Sequence, residues 1–110
     1  MATPNVEVLQ GTLDLLILKS LALGPQHGWA IAKRIQQMSR DVLVVNQGSL
    51  YPALYRLEDR GWISGDEGLS PEGRRIKLYR HTAAGRRQLA QEIQTWQAFA
   101  SAMQHVLRAT

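Results

Sequence analysis

The spacing of apolar residues along the chain predicts four helices and a β-hairpin. The first helix should cover about Leu9–Leu23, and it is apolar on nearly every side, so it needs cover from more than one neighbour. Gly24-Pro25 should stop it, because glycine favours a helix cap and proline cannot continue the helix. The second helix should run from His27 or Gly28 to Met38, where apolar residues recur at spacings of four and three.

The third predicted helix extends from about Gly48 to Arg60. Pro52 restricts its start, because proline is tolerated only in the first turn of a helix. The helix should therefore begin between Gln47 and Ser49, with Ser49 as the capping residue, and Gly61 should end it in the left-handed conformation. Its buried stripe consists of leucines at helical spacing: Leu50, Leu54 and Leu57.

Two short apolar runs after this helix predict strands at Trp62–Gly65 and Ile76–His81. The stretch between them, Asp66–Arg75, is rich in glycine, charge and turn residues, which predicts a hairpin with a long mobile tip. Residues 1–7 should form a loose arm, and Val42–Val45 a short extended piece.

The last predicted helix opens at Thr82, which can cap it, and runs to about Arg108. At about 1.5 Å per residue this helix would span roughly 39 Å, more than a small core can cover. Its apolar positions follow a heptad-like pattern, which calls for a partner helix: Leu89, Ile93, Trp96, Ala100, Met103 and Leu107.

The order of elements predicts a mainly α protein with a small β-hairpin, a winged helix-turn-helix followed by a long C-terminal dimerisation helix. Residues 1–82 would form the DNA-binding domain and residues 83–110 the dimerisation helix. In helix-turn-helix proteins the recognition helix enters the major groove with its early residues at the base edges. Candidate DNA contacts lie on the second and third helices and on the wing: Lys33, Arg34, Gln47, Ser49, Tyr51, Pro52, Tyr55, Arg56, Arg74, Arg75 and Lys77.

The amino-acid composition excludes several classes of function. Thirteen Lys and Arg residues against nine Asp and Glu give a net charge of +4, a modest basicity compatible with a polyanionic partner. The chain has no cysteine, which excludes disulfides and thiolate metal sites. We find no signal peptide, membrane span, catalytic motif or His pair at ligand spacing, and so expect a cytoplasmic protein without enzymatic activity, cofactor, metal or membrane partner.

Several segments, in the same order along the chain, resemble the PadR family of bacterial transcriptional regulators: Leu9–Leu18 (LQGTLDLLIL), His27–Ile31 (HGWAI), Gly48–Glu58 (GSLYPALYRLE), Arg60–Ile63 (RGWI) and Tyr79–Gly85 (YRHTAAG). The resemblance covers about Leu9–Leu107, and the single C-terminal helix is typical of the shorter subfamily. Trp29 departs mildly from the family, where many members have Tyr.

The resemblance implies a dimeric repressor that binds a palindromic operator on double-stranded DNA. It implies a homodimer interface between the first and last helices, to which Leu9, Leu13 and Leu16 would contribute together with the heptad-like positions of the last helix. Some members of the family bind aromatic small molecules between their subunits, next to a tryptophan on the last helix; Trp96 is the residue of this chain that would match it, which makes it a candidate site for a small aromatic effector.

Alternatives remain at four places. Tyr51 and Tyr55 neighbour the leucine stripe and could be packing residues rather than DNA contacts. The basic wing residues could form a merely solvated charged loop. Trp96 could be plain interface packing rather than a ligand platform. The apolar first and last helices could also belong to a winged-helix protein-interaction module that binds no DNA.

Overall fold

A computed structural model describes residues 6–7 and 11–110 of the chain. The helices are α1 (Leu13–Ala22), α2 (Gly28–Met38), α3 (Gln47–Asp59) and α4 (Ala83–Arg108). The strands are β1 (Val6–Glu7), β2 (Gln26–His27), β3 (Leu43–Val44), β4 (Ile63–Leu69) and β5 (Arg75–His81). The predicted class, a winged helix-turn-helix with a long C-terminal helix, is confirmed.

The core lies where α1, α2 and α3 meet the root of the hairpin. Each helix contributes aliphatic side chains spaced three or four residues apart, so their apolar stripes face one another. An antiparallel sheet in the order β2-β5-β4 closes one side, and its Ile63 and Tyr79 are buried in the same core. The fully buried side chains include Ile17, Leu18, Ile31, Ile35, Leu50, Leu54 and Leu57.

The third helix begins within the predicted window, at Gln47, but Ser49 is not its cap. Asn46 has an extended backbone at the capping position, and its side-chain oxygen accepts a hydrogen bond from the Ser49 N–H at 2.9 Å. Because the helix starts earlier than Ser49, that residue already lies in the first turn and donates to the cap. Gly61 ends the helix with a φ of +76°, as predicted.

The wing is longer and its tip shorter than the sequence predicted. The ladder pairs Ile63 with His81 and continues to Leu69 opposite Arg75. The tip is therefore a tight turn, closed by a hydrogen bond of 2.8 Å from the Ser70 N–H to the Arg74 carbonyl. Polar residues led to the prediction of a long loop, but the ladder joins backbone groups and needs no apolar side chains.

Two predictions about the start of the chain were wrong. The first helix begins at Leu13, because Gly11 and Thr12 form a turn in which Gly11 has a φ of +91°. The arm predicted to be loose contains β1, which pairs in parallel with β3. Strand β3 lies within the extended piece predicted at Val42–Val45. Leu9, assigned to the dimer interface, lies outside the described residues.

The last helix is attached to the domain by its first turn and then projects from it. The Thr82 hydroxyl caps the helix by accepting from the Gly85 N–H, and it donates to the Gly61 carbonyl at 2.6 Å. Leu89 packs against the edge of the core. Beyond that point the helix extends outward and contributes to a molecule 59 Å long. None of the helices in the described part is both long and apolar enough to cross a bilayer.

Candidate nucleic-acid interface

The outward face of α3 is defined by its buried leucine stripe. At about 100° per residue, the positions opposite that stripe are Gly48, Pro52, Tyr55 and Asp59, and all four are exposed. Tyr55 is 75% exposed, far more than packing against its own domain would leave. The helix therefore presents a free surface that another molecule can approach.

The two halves of this face differ in charge. The amino half carries the exposed neutral side chains of Gln47 and Ser49, whereas the carboxyl half carries Glu58 and Asp59 beside Tyr55. Carboxylates repel phosphate groups, so a polyanion approaching α3 is favoured at the amino half. Amide and hydroxyl groups there can bond to base edges.

On the α1 side, α3 is held by an acidic residue that the sequence did not single out. Asp14 of α1 accepts from the guanidinium of Arg56, and Arg60 lies 3.8 Å from the same carboxylate. Asp14 is only 16% exposed. Its partner is 42 residues away, so no local pattern could have revealed the pair.

On the other side, α3 is joined to the wing. The Lys77 ammonium donates to the Glu58 carboxylate at 2.8 Å and lies 5.5 Å from the ring centre of Tyr79. The hydrogen bond with Glu58 raises the pKa of Lys77 above its ordinary value. Burial raises the pKa of the Tyr79 phenol. Both groups therefore keep their protons at neutral pH, and Lys77 remains a cation at the root of the wing.

Arg34 has a structural partner at the end of α1. Its guanidinium donates to the Ser20 carbonyl at 2.7 Å and to the Gly24 carbonyl at 2.9 Å. The Ser20 carbonyl also accepts from the Leu23 N–H, and Gly24 lies just past the end of α1. Arg34 therefore ties α2 to the last turn of α1 and to the turn that follows it. Its neighbour Lys33 is exposed and has no ion pair within residues 11–110.

The wing tip carries two arginines that are free of ion pairs in the described part of the chain. Arg74 closes the turn through its backbone, while its side chain is exposed. Arg75 starts β5, and alternate residues of a strand share a face, so Arg75 projects on the same side as Lys77 and Tyr79. That side faces α2 and α3, with which these three residues line a groove.

The projecting part of α4 exposes an apolar stripe. Trp96 is 40% exposed and Met103 45%, as their predicted heptad positions require, and Leu107 is exposed further along. The prediction missed Phe99 and Val106, which are also exposed. Their spacing of seven, the same as that between Trp96 and Met103, was the available signal.

The other residues predicted to lie in the dimer interface differ in how much of their side chain is exposed. Leu13 lies in the core of its own chain, 8% exposed, and Leu16 is packed against that core. Ile93 and Ala100 are half-buried on α4. An open groove of about 210 Å³ separates the start of α1 from α4, and Trp96 and Phe99 line it together with Leu15.

A family model for the transcriptional regulator PadR-like family matches residues 17–91. The chain belongs to this family. A transcriptional regulator of Mycobacterium tuberculosis is 35% identical to this PadR-like protein over 86 residues, which are 78% of this chain and 77% of the relative.

Solved structures share the fold of this PadR-like protein. A transcriptional regulator from Clostridium thermocellum matches with a TM-score of 0.80 at 28% identity, covering 87% of this chain and 93% of that one. Bacillus subtilis PadR in complex with operator DNA matches with a TM-score of 0.68 at 23% identity, covering 74% of this chain and 46% of that one. The family resemblance drawn from the sequence is thereby confirmed. The residues that contact DNA and a second copy stay predictions.

Proposed function

We propose that this PadR-like regulator is a sequence-specific repressor that binds a palindromic operator as a homodimer. In this proposal α3 enters the major groove and the wing contacts the flanking backbone or minor groove. The observation that carries it is the exposed, uncharged amino half of α3 beside Arg74 and Arg75 of the wing, which form no ion pair within residues 11–110. With this function we expect the protein to lie in the cytoplasm.

The amino half of α3 would read the sequence. Gln47 and Ser49 are exposed in its first turn, where the recognition helix of a helix-turn-helix meets base edges. Tyr51, 47% exposed, lies on the flank nearest the wing and would contact the backbone. Pro52 and Tyr55 lie on the outward face of α3 and would pack against the bases or sugars of the DNA.

The basic side chains that form no ion pair within residues 11–110 would provide the phosphate contacts. Arg74 and Arg75 are exposed at the wing tip and Lys33 on α2, and neutralising phosphates releases counterions and favours binding. Arg34, Arg56 and Lys77 would have to give up or share their intramolecular partners to reach a phosphate. We therefore assign the larger share of phosphate contact to the wing tip.

Dimerisation would cover the exposed stripe of α4. A helix that presents large apolar side chains over several turns is stabilised when a second helix packs on it. We assign the interface to α4, with Leu16 and Leu89 at its inner end and residues 83–110 as the dimerisation segment. The positions that a partner would cover on the projecting part are Ile93, Trp96, Phe99, Ala100, Met103, Val106 and Leu107.

A small aromatic effector would bind beside Trp96. The groove between α1 and α4 is lined by Trp96 and Phe99, whose ring centres are 5.9 Å apart, and by Leu15 and Glu92. Flat aromatic molecules stack well on such rings. Occupation of this groove could alter how α1 and α4 pack in the dimer.

Capture of genomic fragments with the purified protein, followed by mobility shifts on the recovered site, tests the function. Arg74→Ala should weaken binding to all sequences alike and reduce the salt slope by about one, whereas Gln47→Ala should change sequence preference. Lys19→Ala removes an exposed positive charge on α1 and serves as the control, for which we expect DNA binding to be unchanged.

A protein that binds no genomic fragment more tightly than random DNA at moderate salt would contradict the proposal. If it also fails to bind heparin while forming complexes with other proteins, the interaction-module alternative holds instead.

A further inference from the structure

A second groove lies between α3 and the wing, the two elements that we propose contact DNA. It has a volume of about 220 Å³ and is open to solvent between the start of α2, the flank of α3 and the root of the wing. The side chains that matter for its chemistry come from all three elements: His27, Trp29, Tyr51, Arg75, Lys77 and Tyr79.

The polar side chains that line this groove are suited to an anion. Lysine, arginine and the tryptophan indole donate hydrogen bonds and cannot accept them, whereas tyrosine and histidine can donate as well as accept. No carboxylate is among the lining residues. The donors of Trp29, Tyr51 and Arg75 have no hydrogen-bond partner in the described part of the chain, so they are available to a ligand.

Close packing fixes the position of the Tyr51 ring. A Cβ placed on Gly28 would lie 3.0 Å from Cε1 of Tyr51 and 3.4 Å from its hydroxyl oxygen. The ring therefore lies directly against the backbone at the start of α2, where a side chain would displace it. Trp29, the next residue, is 41% exposed and forms another part of the groove wall.

The groove also lies where a DNA backbone would pass. A recognition helix in the major groove and a wing on the adjacent backbone or minor groove are separated by a strand of sugar and phosphate. Tyr51 belongs to the first of these elements and Arg75 to the second, so a group between them is adjacent to both.

We propose that this groove binds one backbone phosphate of the operator and that Trp29 is a DNA-contact residue. The indole N–H donates to a phosphate oxygen and the ring packs on the neighbouring deoxyribose, while Arg75 bonds the same phosphate from the wing. This contact sets the depth of α3 relative to the backbone. The inference rests on the proposed function, since it needs the protein to bind DNA.

Operator duplexes that carry one neutral methylphosphonate at successive positions test this contact. With the wild-type protein, one position per half-site should weaken binding about ten-fold, the effect of losing a charge-assisted hydrogen bond. Trp29→Phe keeps an aromatic ring without the N–H donor, and Arg75→Ala removes the cation. Each variant should bind the natural operator more weakly and should lose much of the sensitivity at that same position, and at no other.

Leu23→Ala is the matched control, because Leu23 is also an exposed apolar residue, 57% exposed, but lies outside the groove. It should keep the full ten-fold effect. Circular dichroism and sedimentation should show that the variants keep the fold and mass of the wild type, as expected for Arg75→Ala, which changes an exposed wing residue.

Two failures are distinguishable. If the wild type binds an operator but Trp29→Phe and Arg75→Ala keep full sensitivity at every position, the groove is no phosphate site and the proposed function stands. If the wild type binds no operator at all, both proposals are overturned.

Discussion

Replacing Gly85 with alanine should destabilise the protein, although the same change in most helices stabilises it. Gly85 lies in the first turn of α4, where a Cβ would lie 2.0 Å from the carbonyl oxygen of Trp62. Heavy atoms at a Cβ essentially never approach closer than 3.0 Å, so the helix and this carbonyl must separate by about 1 Å. Alanine otherwise favours a helix over glycine by about 0.5–1 kcal/mol.

The carbonyl cannot simply turn aside. It accepts a hydrogen bond of 3.0 Å from the Thr82 N–H, and Thr82 is also the cap of α4. Forcing extra volume into a packed site costs about 1–3 kcal/mol. Set against the helix preference of alanine, this leaves a net loss of about 1 kcal/mol in the free energy of unfolding, which lowers the Tm of a domain of this size by about 4 °C.

Thermal unfolding followed by circular dichroism measures this loss. Protein concentrations must be matched, because the self-association that we propose makes the Tm depend on concentration. Gly68→Ala is the control, since no atom lies within 4 Å of a Cβ there, and its stability should change by less than about 0.5 kcal/mol. A Gly85→Ala protein as stable as the wild type would refute the close attachment of α4 to Trp62.

Three further changes probe other contacts. Arg34→Ala should lower the free energy of unfolding by about 1.5–3 kcal/mol, because two carbonyls lose a charged donor; Lys33→Ala should leave it unchanged in the same urea titration. Asn46→Ala should lower it by about 1 kcal/mol and Ser49→Ala by much less, and an equal loss would contradict the cap assignment. Because burial raises the pKa of Tyr79, its contribution to the free energy of unfolding is intact below about pH 10 and falls as the pH rises toward and through the raised value. In urea titrations at alkaline pH, Tyr79→Phe should therefore lose less stability with rising pH than the wild type. An equal loss in both proteins would contradict the buried position of the phenol.

Local signals located most helix ends correctly. Pro52 fixed the start of α3 to within one turn, and Thr82 marked the start of α4, because both residues act through their own backbone neighbourhood. The wing was misjudged for the converse reason. Residues 66–69 are exposed and are polar or glycine except Leu69, yet each of them has a partner residue on β5 in the ladder.

The site was less accessible to sequence reasoning, since its contacts join distant parts of the chain. Arg56 was predicted to contact DNA, but nothing near it in sequence indicates Asp14, its ion-pair partner on α1. The sequence marks Trp29 only as a mild departure from the family, because the groove that it lines is formed by three separate elements. Residue type suggested donors, and only the fold shows which of them already have partners.

If two copies present α3 to one duplex, as we propose, a hydroxyl-radical footprint on the recovered operator should show both of them. We expect two protected patches on one face of the DNA, with centres about one helical turn, 10–10.5 base pairs, or a whole number of turns apart. A single patch, or two patches on opposite faces of the duplex, would contradict it.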